Sequence, residues 1–220
     1  VLPKCLEVCA LGRYLRLEPL NTEKHYRSLY ENFIQTPNLF DYLLEEPLTT
    51  LEEFRERCLA KEKDTTRIYF VSSRINKPDD YLSLGNIGNI DPINKKLEFS
   101  GGTRSAKLQN TTASSEIALL LLSHIFETLG YVRVEAKTST ENSKVLRALE
   151  RIGFTFEGVL YKNVLWKGKH LDGFLFSLLD TEWPAVKEVL TAWLDPNNFD
   201  EQGNQKTRFA IKKPARKAYT

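Results

Sequence analysis

The sequence predicts an α/β (α+β) domain in which helices flank a mostly antiparallel sheet. Three alternating segments between residues 68 and 101 are joined by tight turns, which predicts an antiparallel meander. A long apolar helix pattern, IALLLLSHIFETLG, follows and ends at Gly130, a residue suited to the C′ position of a helix. The alternating segment Tyr131–Lys137 comes next and predicts a strand, so strands precede and follow a buried helix.

The first part of the chain predicts one strand and two helices. Tyr14–Glu18 (YLRLE) alternates apolar and polar residues, and Pro19 ends this strand. Amphipathic patterns predict helices over residues 22–36 and 50–62, the second opened by Thr49 or Thr50. We therefore expect both helices before the meander begins.

The remaining elements follow from alternation, helical stripes and turn residues. The meander strands are Ile68–Arg74, Tyr81–Ile90 and Lys95–Gly101. The later elements are a helix over Asn142–Ile152 stopped by Gly153, a hairpin of Phe154–Trp166 and Leu171–Leu179 around Lys167-Gly168-Lys169, and a helix over Glu182–Leu194.

Composition indicates one domain, residues 1–195, followed by a polar and basic C-terminal extension, residues 196–220. The 220 residues are 41% hydrophobic and 27% charged, values typical of globular domains. The longest apolar run, Ile117–Leu122, is too short to cross a bilayer, and no secretory signal is evident, so we expect a cytoplasmic protein without membrane contact. Three cysteines without a CxxC pair predict reduced thiols and no metal site.

The charge pattern does not favour nucleic acid as a partner. A net charge of +2 produces little long-range field. The basic residues near the C-terminus predict a solvated, mobile terminus, and contact with nucleic acid is the alternative interpretation. These residues are Lys206, Arg208, Lys212, Lys213, Arg216 and Lys217.

A hydroxyl-rich segment opens the long buried helix and is the candidate cofactor-binding loop. A helix N-terminus presents unpaired N–H groups and a partial positive charge, which suit a pyrophosphate. An ordinary N-cap by Thr112 or Ser114 explains the same residues without a ligand. The candidate residues are Gln109, Asn110, Thr111, Thr112, Ala113, Ser114 and Ser115.

Several segments, taken in order, resemble the RimJ/RimL-like branch of the GNAT acetyltransferases. The most specific pieces are Leu129-Gly130-Tyr131, Asn142, Ile152-Gly153-Phe154, Glu157-Gly158 and Asp172. The resemblance implies a mixed sheet that splays between two parallel strands, Lys95–Gly101 and Tyr131–Lys137. It also implies acetyl-CoA as cosubstrate and direct transfer of the acetyl group to a primary amine.

The resemblance also suggests site residues. Glu157, in FxxEG, matches the carboxylate that serves as base, for which half-burial is expected to raise the pKa toward neutrality; a surface glutamate on a hairpin strand is the alternative. Glu98, on a predicted central strand, is the second candidate, as base or as amine ligand. His124 is the third, and a packed or surface imidazole explains it better than a catalytic role. Asn142 matches an asparagine that orders the cofactor region, although a plain N-cap explains it as well.

The sequence departs from the family pattern at three positions. Asn110 and Thr112 replace the glycines of the pyrophosphate loop, and Val145 replaces a serine that is the proposed proton donor to the thiolate. A CoA-binding or regulatory protein that has lost catalysis is therefore the alternative to an N-acetyltransferase. The acceptor (a small amine, an amino acid or a peptide N-terminus) and the choice between monomer and homodimer stay open.

Overall fold

The chain folds around one sheet of eight strands in the computed structural model, which describes residues 9–41, 43, 45–200, 205–207 and 211–216. The strands are β1 (Ala10–Leu11), β2 (Leu15–Pro19), β3 (Ile68–Arg74), β4 (Lys77–Asp91), β5 (Lys96–Arg104), β6 (Arg133–Ser139), β7 (Thr155–Trp166) and β8 (Lys169–Leu179). The helices are α1 (Thr22–Ile34), α2 (Leu51–Glu62), α3 (Thr112–Ser123), α4 (Ser143–Arg151) and α5 (Trp183–Trp193).

The sheet has the order β1-β2-β3-β4-β5-β6-β8-β7. Every neighbouring pair is antiparallel except β5 and β6, which are parallel. The predicted mixed, mostly antiparallel sheet is therefore confirmed. Strand β1 was not predicted, because two residues are too few to show an alternating pattern.

Two separate cores place the helices on opposite faces of the sheet. Helices α1 and α2 pack over one face, with Leu29 and Cys58 fully buried there. Helices α3, α4 and α5 share the core on the other face, where Ile117 and Leu121 of α3 are fully buried. The prediction that the long apolar helix is enclosed on several sides is thus confirmed, and none of the described helices is long and apolar enough to span a membrane.

The end of the long helix differs from its prediction. Its last turn, His124–Thr128, is π-helical, with the Leu129 N–H donating to the His124 carbonyl at 3.0 Å. Gly130 then adopts φ +66°, as a C′ glycine does. Apolar periodicity over five residues does not separate a wide turn from an α-helical one, so the sequence predicted a continuous α-helix.

A buried carboxylate joins α3 to the start of β2. Glu116 is 2% exposed and accepts hydrogen bonds from the backbone N–H groups of Arg13, Tyr14 and Leu15 at 2.6, 2.9 and 2.7 Å. A Cβ atom at Gly12 would lie 2.5 Å from this carboxylate, so a side chain at Gly12 would displace it. Glu116 thereby fixes the position of α3, whose N-terminus borders the candidate site.

Candidate active site

The parallel strands β5 and β6 part after a short paired stretch. They pair only at Lys96 with Arg133, Leu97 with Val134, and Glu98 with Glu135. Strand β5 then continues to Arg104 and β6 to Ser139 without a ladder between them. The predicted splay is confirmed, and backbone groups on the facing edges have no strand partner in the described part of the chain.

A β-bulge explains why β5 bends away from β6. The register of β5 against β4 shifts between the pairs Leu84 with Thr103 and Asn86 with Ser100. Gly102 lies in this bulge at φ +64°, and a Cβ there would be 2.0 Å from the Leu84 carbonyl oxygen. Since a bulge bends its strand and increases the local twist, it opens the gap beside β6.

A cleft of about 400 Å³ occupies this gap, with lining residues from both diverging strands, from α3 and α4, and from the β7–β8 hairpin. Its size is in the range of small-molecule sites. Phe99 and Ala136 line it from the two diverging strands, and Ala118 and Leu149 line it from α3 and α4. The cleft therefore has one end beside the N-terminus of α3 and another beside the β7–β8 hairpin.

The predicted cofactor loop, which lacks the glycines, contains one residue in a left-handed conformation. Asn110 has φ +58°, a left-handed conformation that asparagine tolerates better than most residues. Thr111 is the N-cap, its Oγ1 accepting from the Ser114 N–H at 3.2 Å, so the prediction of Thr112 or Ser114 as cap is wrong. The hydroxyl-bearing residues Ser114 and Ser115 line the cleft.

The other loop residues have structural contacts. Gln109 donates its side-chain amide to the Arg104 carbonyl at 2.9 Å and does not line the cleft. Thr112 and Ala113 are the first two residues of α3, where helix geometry leaves backbone N–H groups without intrahelical partners.

Two arginines that the sequence did not single out line the cleft beside α3. Arg104 ends β5; some of its surface is exposed, but its Nε is sealed from solvent and has no hydrogen-bond partner among the described residues. Burial, reinforced by the like charge of Arg151, lowers the pKa of Arg104 to about 10. Arg151 donates to Ser115 Oγ at 3.4 Å. The sequence does not predict that two arginines 47 positions apart lie close together.

The far end of the cleft is closed by a contact between two loops. Trp166, at the tip of the β7–β8 hairpin, donates its Nε1–H to the Leu43 carbonyl at 3.2 Å. Val164 and Leu171 add apolar surface here. Glu141 is the one carboxylate among the described residues that line the cleft.

Glu98 lies at the point where β5 and β6 begin to separate. Its Oε2 accepts hydrogen bonds from Asn89 Nδ2 and Lys137 Nζ, both at 2.7 Å. Lys137 itself lines the cleft. Glu98 is thus connected to the cleft wall through one ion pair, although it is not itself a lining residue.

Comparison with known proteins identifies the family. The model of the acetyltransferase (GNAT) domain matches residues 14–155. The chain belongs to the GNAT acetyltransferase family.

Solved and curated relatives agree with this membership. The chain is similar to a GCN5-related N-acetyltransferase from Brucella melitensis, at 33% identity and a TM-score of 0.86, covering 91% of each chain. It is similar to a probable GNAT acetyltransferase from Chromobacterium violaceum, at 26% identity and a TM-score of 0.76, covering 81% of this chain and 89% of that one. It is also 25% identical over 152 residues to an uncharacterized N-acetyltransferase p20 of Bacillus licheniformis, covering 67% of this chain and 83% of that protein.

Glu157, the first candidate for the base of this GNAT protein, is held in a network away from the cleft lining. Arg133 donates to both of its carboxylate oxygens, at 2.9 and 2.5 Å, and Ser177 and Arg216 donate to Oε1 at 2.5 and 2.7 Å. These contacts, above all the hydrogen bonds from Arg133, lower the pKa of Glu157 to about 2. The expectation of a raised pKa is therefore wrong, because paired cations outweigh partial burial.

Residues 211–216 form a segment that we call the C-terminal strap. Ile211 packs against the α3–α5 core, and Lys213 Nζ donates to the Gly153 carbonyl at 2.5 Å. Arg216 binds Glu182, whose side chain is 3% exposed, through two hydrogen bonds of 2.8 Å. These contacts contradict the prediction of a solvated terminus for this segment, and Arg208 and Lys217 lie outside the described residues.

The helix α4 and His124 complete the candidate residues. Asn142 is the N-cap of α4, its Oδ1 accepting from the Val145 N–H at 3.2 Å, and both residues line the cleft. The N-cap interpretation of Asn142 is thus confirmed. His124 does not line the cleft; its Nε2 is sealed without a partner among the described residues, and burial lowers its pKa.

Proposed function

We propose that this protein is an acetyl-CoA-dependent N-acetyltransferase of the RimJ/RimL-like branch that acetylates a primary amine. The observation that carries the proposal is the divergence of β5 and β6 into a cleft that runs from the N-terminus of α3 to Trp166. A continuous passage of this kind lets a cosubstrate enter at one end and an acceptor at the other.

The cleft fits the parts of acetyl-CoA. Backbone groups of β5 beyond Glu98 that lack a strand partner suit an extended amide-bearing arm, which binds as an added strand does. Ser114, Ser115 and the first N–H groups of α3 suit the diphosphate. When bound, acetyl-CoA supplies a thioester whose carbonyl carbon an amine attacks directly.

Glu98 is the best candidate to accept the proton of the acceptor amine. The Glu157 carboxylate is occupied by two arginines, and its pKa near 2 makes it a weak base. Glu98 lies at the apex of the splay and reaches the cleft wall through Lys137. We therefore assign Glu98 the role of base and Glu157 a structural role.

The leaving group needs little help from the protein. Val145 borders the cleft where the family has a serine, and its side chain offers no proton. A thiol has a pKa of about 8.5, so the thiolate departs readily and takes its proton from water. Loss of this donor is compatible with turnover.

The far end of the cleft favours an amine beside an apolar group. Leu43, Val164, Trp166 and Leu171 present apolar or aromatic surface there, whereas Glu141 is the one carboxylate among the described lining residues. A polycation is recognised by several carboxylates, so this wall favours an amino acid or a peptide N-terminus with an apolar side chain over a polyamine.

Free-thiol release from acetyl-CoA tests the proposal. The protein is mixed with acetyl-CoA and a panel of apolar aminoacyl amides, peptides and polyamines, and thiol is followed against a blank without amine. Release that requires an apolar amine supports the proposal. CoA binding without release for any amine contradicts it and favours the regulatory alternative.

A further inference from the structure

Two cations that line the cleft beside the start of α3 lack anionic partners among the described residues. Arg104 and Arg151 both line the cleft, and neither has an ion pair in the described part of the chain. Arg104 Nε is sealed from water and makes no hydrogen bond there. By contrast, Arg133 of β6 and Arg216 of the C-terminal strap are both paired with carboxylates.

Local structure accounts for one of these arginines but not for the other. Arg151 is in the last turn of α4, where a cation interacts favourably with the helix dipole. Arg104 ends a strand and has no such compensation. A guanidinium whose Nε–H is buried without an acceptor, beside a second guanidinium, is unfavourable until an anion accepts its hydrogen bonds.

We propose, on the basis of the acetyl-CoA-dependent function above, that Arg104 and Arg151 form a two-arginine clamp on the CoA diphosphate. Guanidinium groups bind phosphate oxygens through paired N–H donors. The clamp supplies contacts where this chain has Asn110 and Thr112 in place of the glycines of the loop. Ser115, held by Arg151 at 3.4 Å, places the second guanidinium beside the start of α3.

Calorimetric titration of the full chain with CoA, 3′-dephospho-CoA and pantetheine tests the clamp. We expect Arg104→Gln and Arg151→Gln each to weaken binding of both nucleotides by about 10- to 100-fold, the usual range for hydrogen bonds to charged groups. Pantetheine, which has no phosphate, binds these variants and the unmodified chain alike. Arg147→Gln, an exposed arginine of the same helix, leaves every affinity within about twofold as the matched control.

Each outcome has a separate meaning. Failure of the unmodified chain to bind CoA overturns the proposed function, and the clamp with it. Tight CoA binding that neither variant weakens overturns the clamp alone. A loss seen with CoA but absent with 3′-dephospho-CoA assigns the arginines to the 3′-phosphate and overturns the diphosphate assignment. If Arg104→Gln does not fold, exposed Arg151→Gln gives the same comparison.

Discussion

The C-terminal strap and the part of the cleft beside the start of α3 both contain arginines, but their electrostatic states are opposite. In the strap, Arg216 binds Glu182 and Glu157 directly. In the cleft, Arg104 has a sealed Nε and no carboxylate partner among the described residues. A satisfied cation fastens two segments, whereas an unsatisfied one raises the free energy of the empty site and favours a ligand. The same residue type is thus paired within the fold in one region and, in our proposal, available to a ligand in the other.

Removing the strap arginine should have the largest effect. Arg216→Met leaves the nearly buried Glu182 carboxylate without its main partner, and we expect the free energy of unfolding to fall by about 3 kcal/mol. Urea denaturation followed by tryptophan fluorescence measures the change. Lys212→Met, an exposed position in the same strap, is the control and should change the free energy of unfolding by less than about 0.5 kcal/mol. Equal stability of both variants would show that the strap pairing contributes nothing.

The catalytic comparison sets Glu98 against Glu157. We expect Glu98→Gln to lower kcat about 100-fold, the low end of the range for loss of a general base. Glu157→Gln should keep kcat within about threefold, because its carboxylate belongs to the strap network. Steady-state thiol release measures both variants. The reverse result would return the role of base to Glu157.

Replacing the cleft arginine Arg104 with methionine should change stability in the direction opposite to Arg216→Met. Without CoA, Arg104→Met removes a partly buried charge whose Nε–H has no acceptor among the described residues, and it keeps much of the side-chain volume, so we expect the free energy of unfolding to rise by about 1 kcal/mol. Urea denaturation in parallel with Arg216→Met makes the pair a direct contrast. A lower free energy of unfolding would show instead that Arg104 stabilises the fold in the absence of CoA.

Acid should weaken the strap network through Glu157. Its pKa is lowered from an ordinary value of 4.5 to about 2, so its stabilising contribution is complete above pH 4.5 and is lost as the pH falls toward 2. Allowing for its partial exposure, we expect Glu157→Gln to remove about 1 kcal/mol of the stability that the unmodified chain loses between pH 5 and pH 3. Urea midpoints across this range measure the difference.

A second carboxylate makes this comparison between variants necessary. Burial acts to raise the pKa of Glu18, but hydrogen bonds from Lys24, Tyr81 and His25 outweigh it and bring the pKa to about 2. Protonation of Glu18 therefore lowers the stability of the unmodified chain and of Glu157→Gln in the same acid range. Identical pH profiles for Glu157→Gln and the unmodified chain would contradict the role given to Glu157.

The elements of the fold were predictable because their signals are local. Alternation located β5 and β6 within three residues at each end, and Lys167-Gly168 marked the hairpin that joins β7 to β8, where both residues have positive φ. The hydroxyl-rich opening of α3 was likewise predictable, and two of its residues, Ser114 and Ser115, line the cleft. Patterns with a range of a few residues were sufficient for these features.

The charged contacts were not predictable because they join distant parts of the chain. Glu116 binds backbone groups about a hundred residues earlier, and Glu157 meets Arg216 59 positions later. The pKa of a carboxylate depends on the cations that pair with it. Because the sequence does not reveal these partners, the prediction for the pKa of Glu157 was wrong. Arg104 was missed for the same reason, because its lack of an anionic partner among the described residues is visible only in the folded structure.

A crystal structure of the protein with CoA tests the central claim most directly. We predict that the pantetheine arm lies between β5 and β6 beyond Glu98 and Glu135, with diphosphate oxygens in hydrogen-bond contact with Arg104. Density for CoA outside this cleft, or a diphosphate that leaves Arg104 without an anion, would contradict the account.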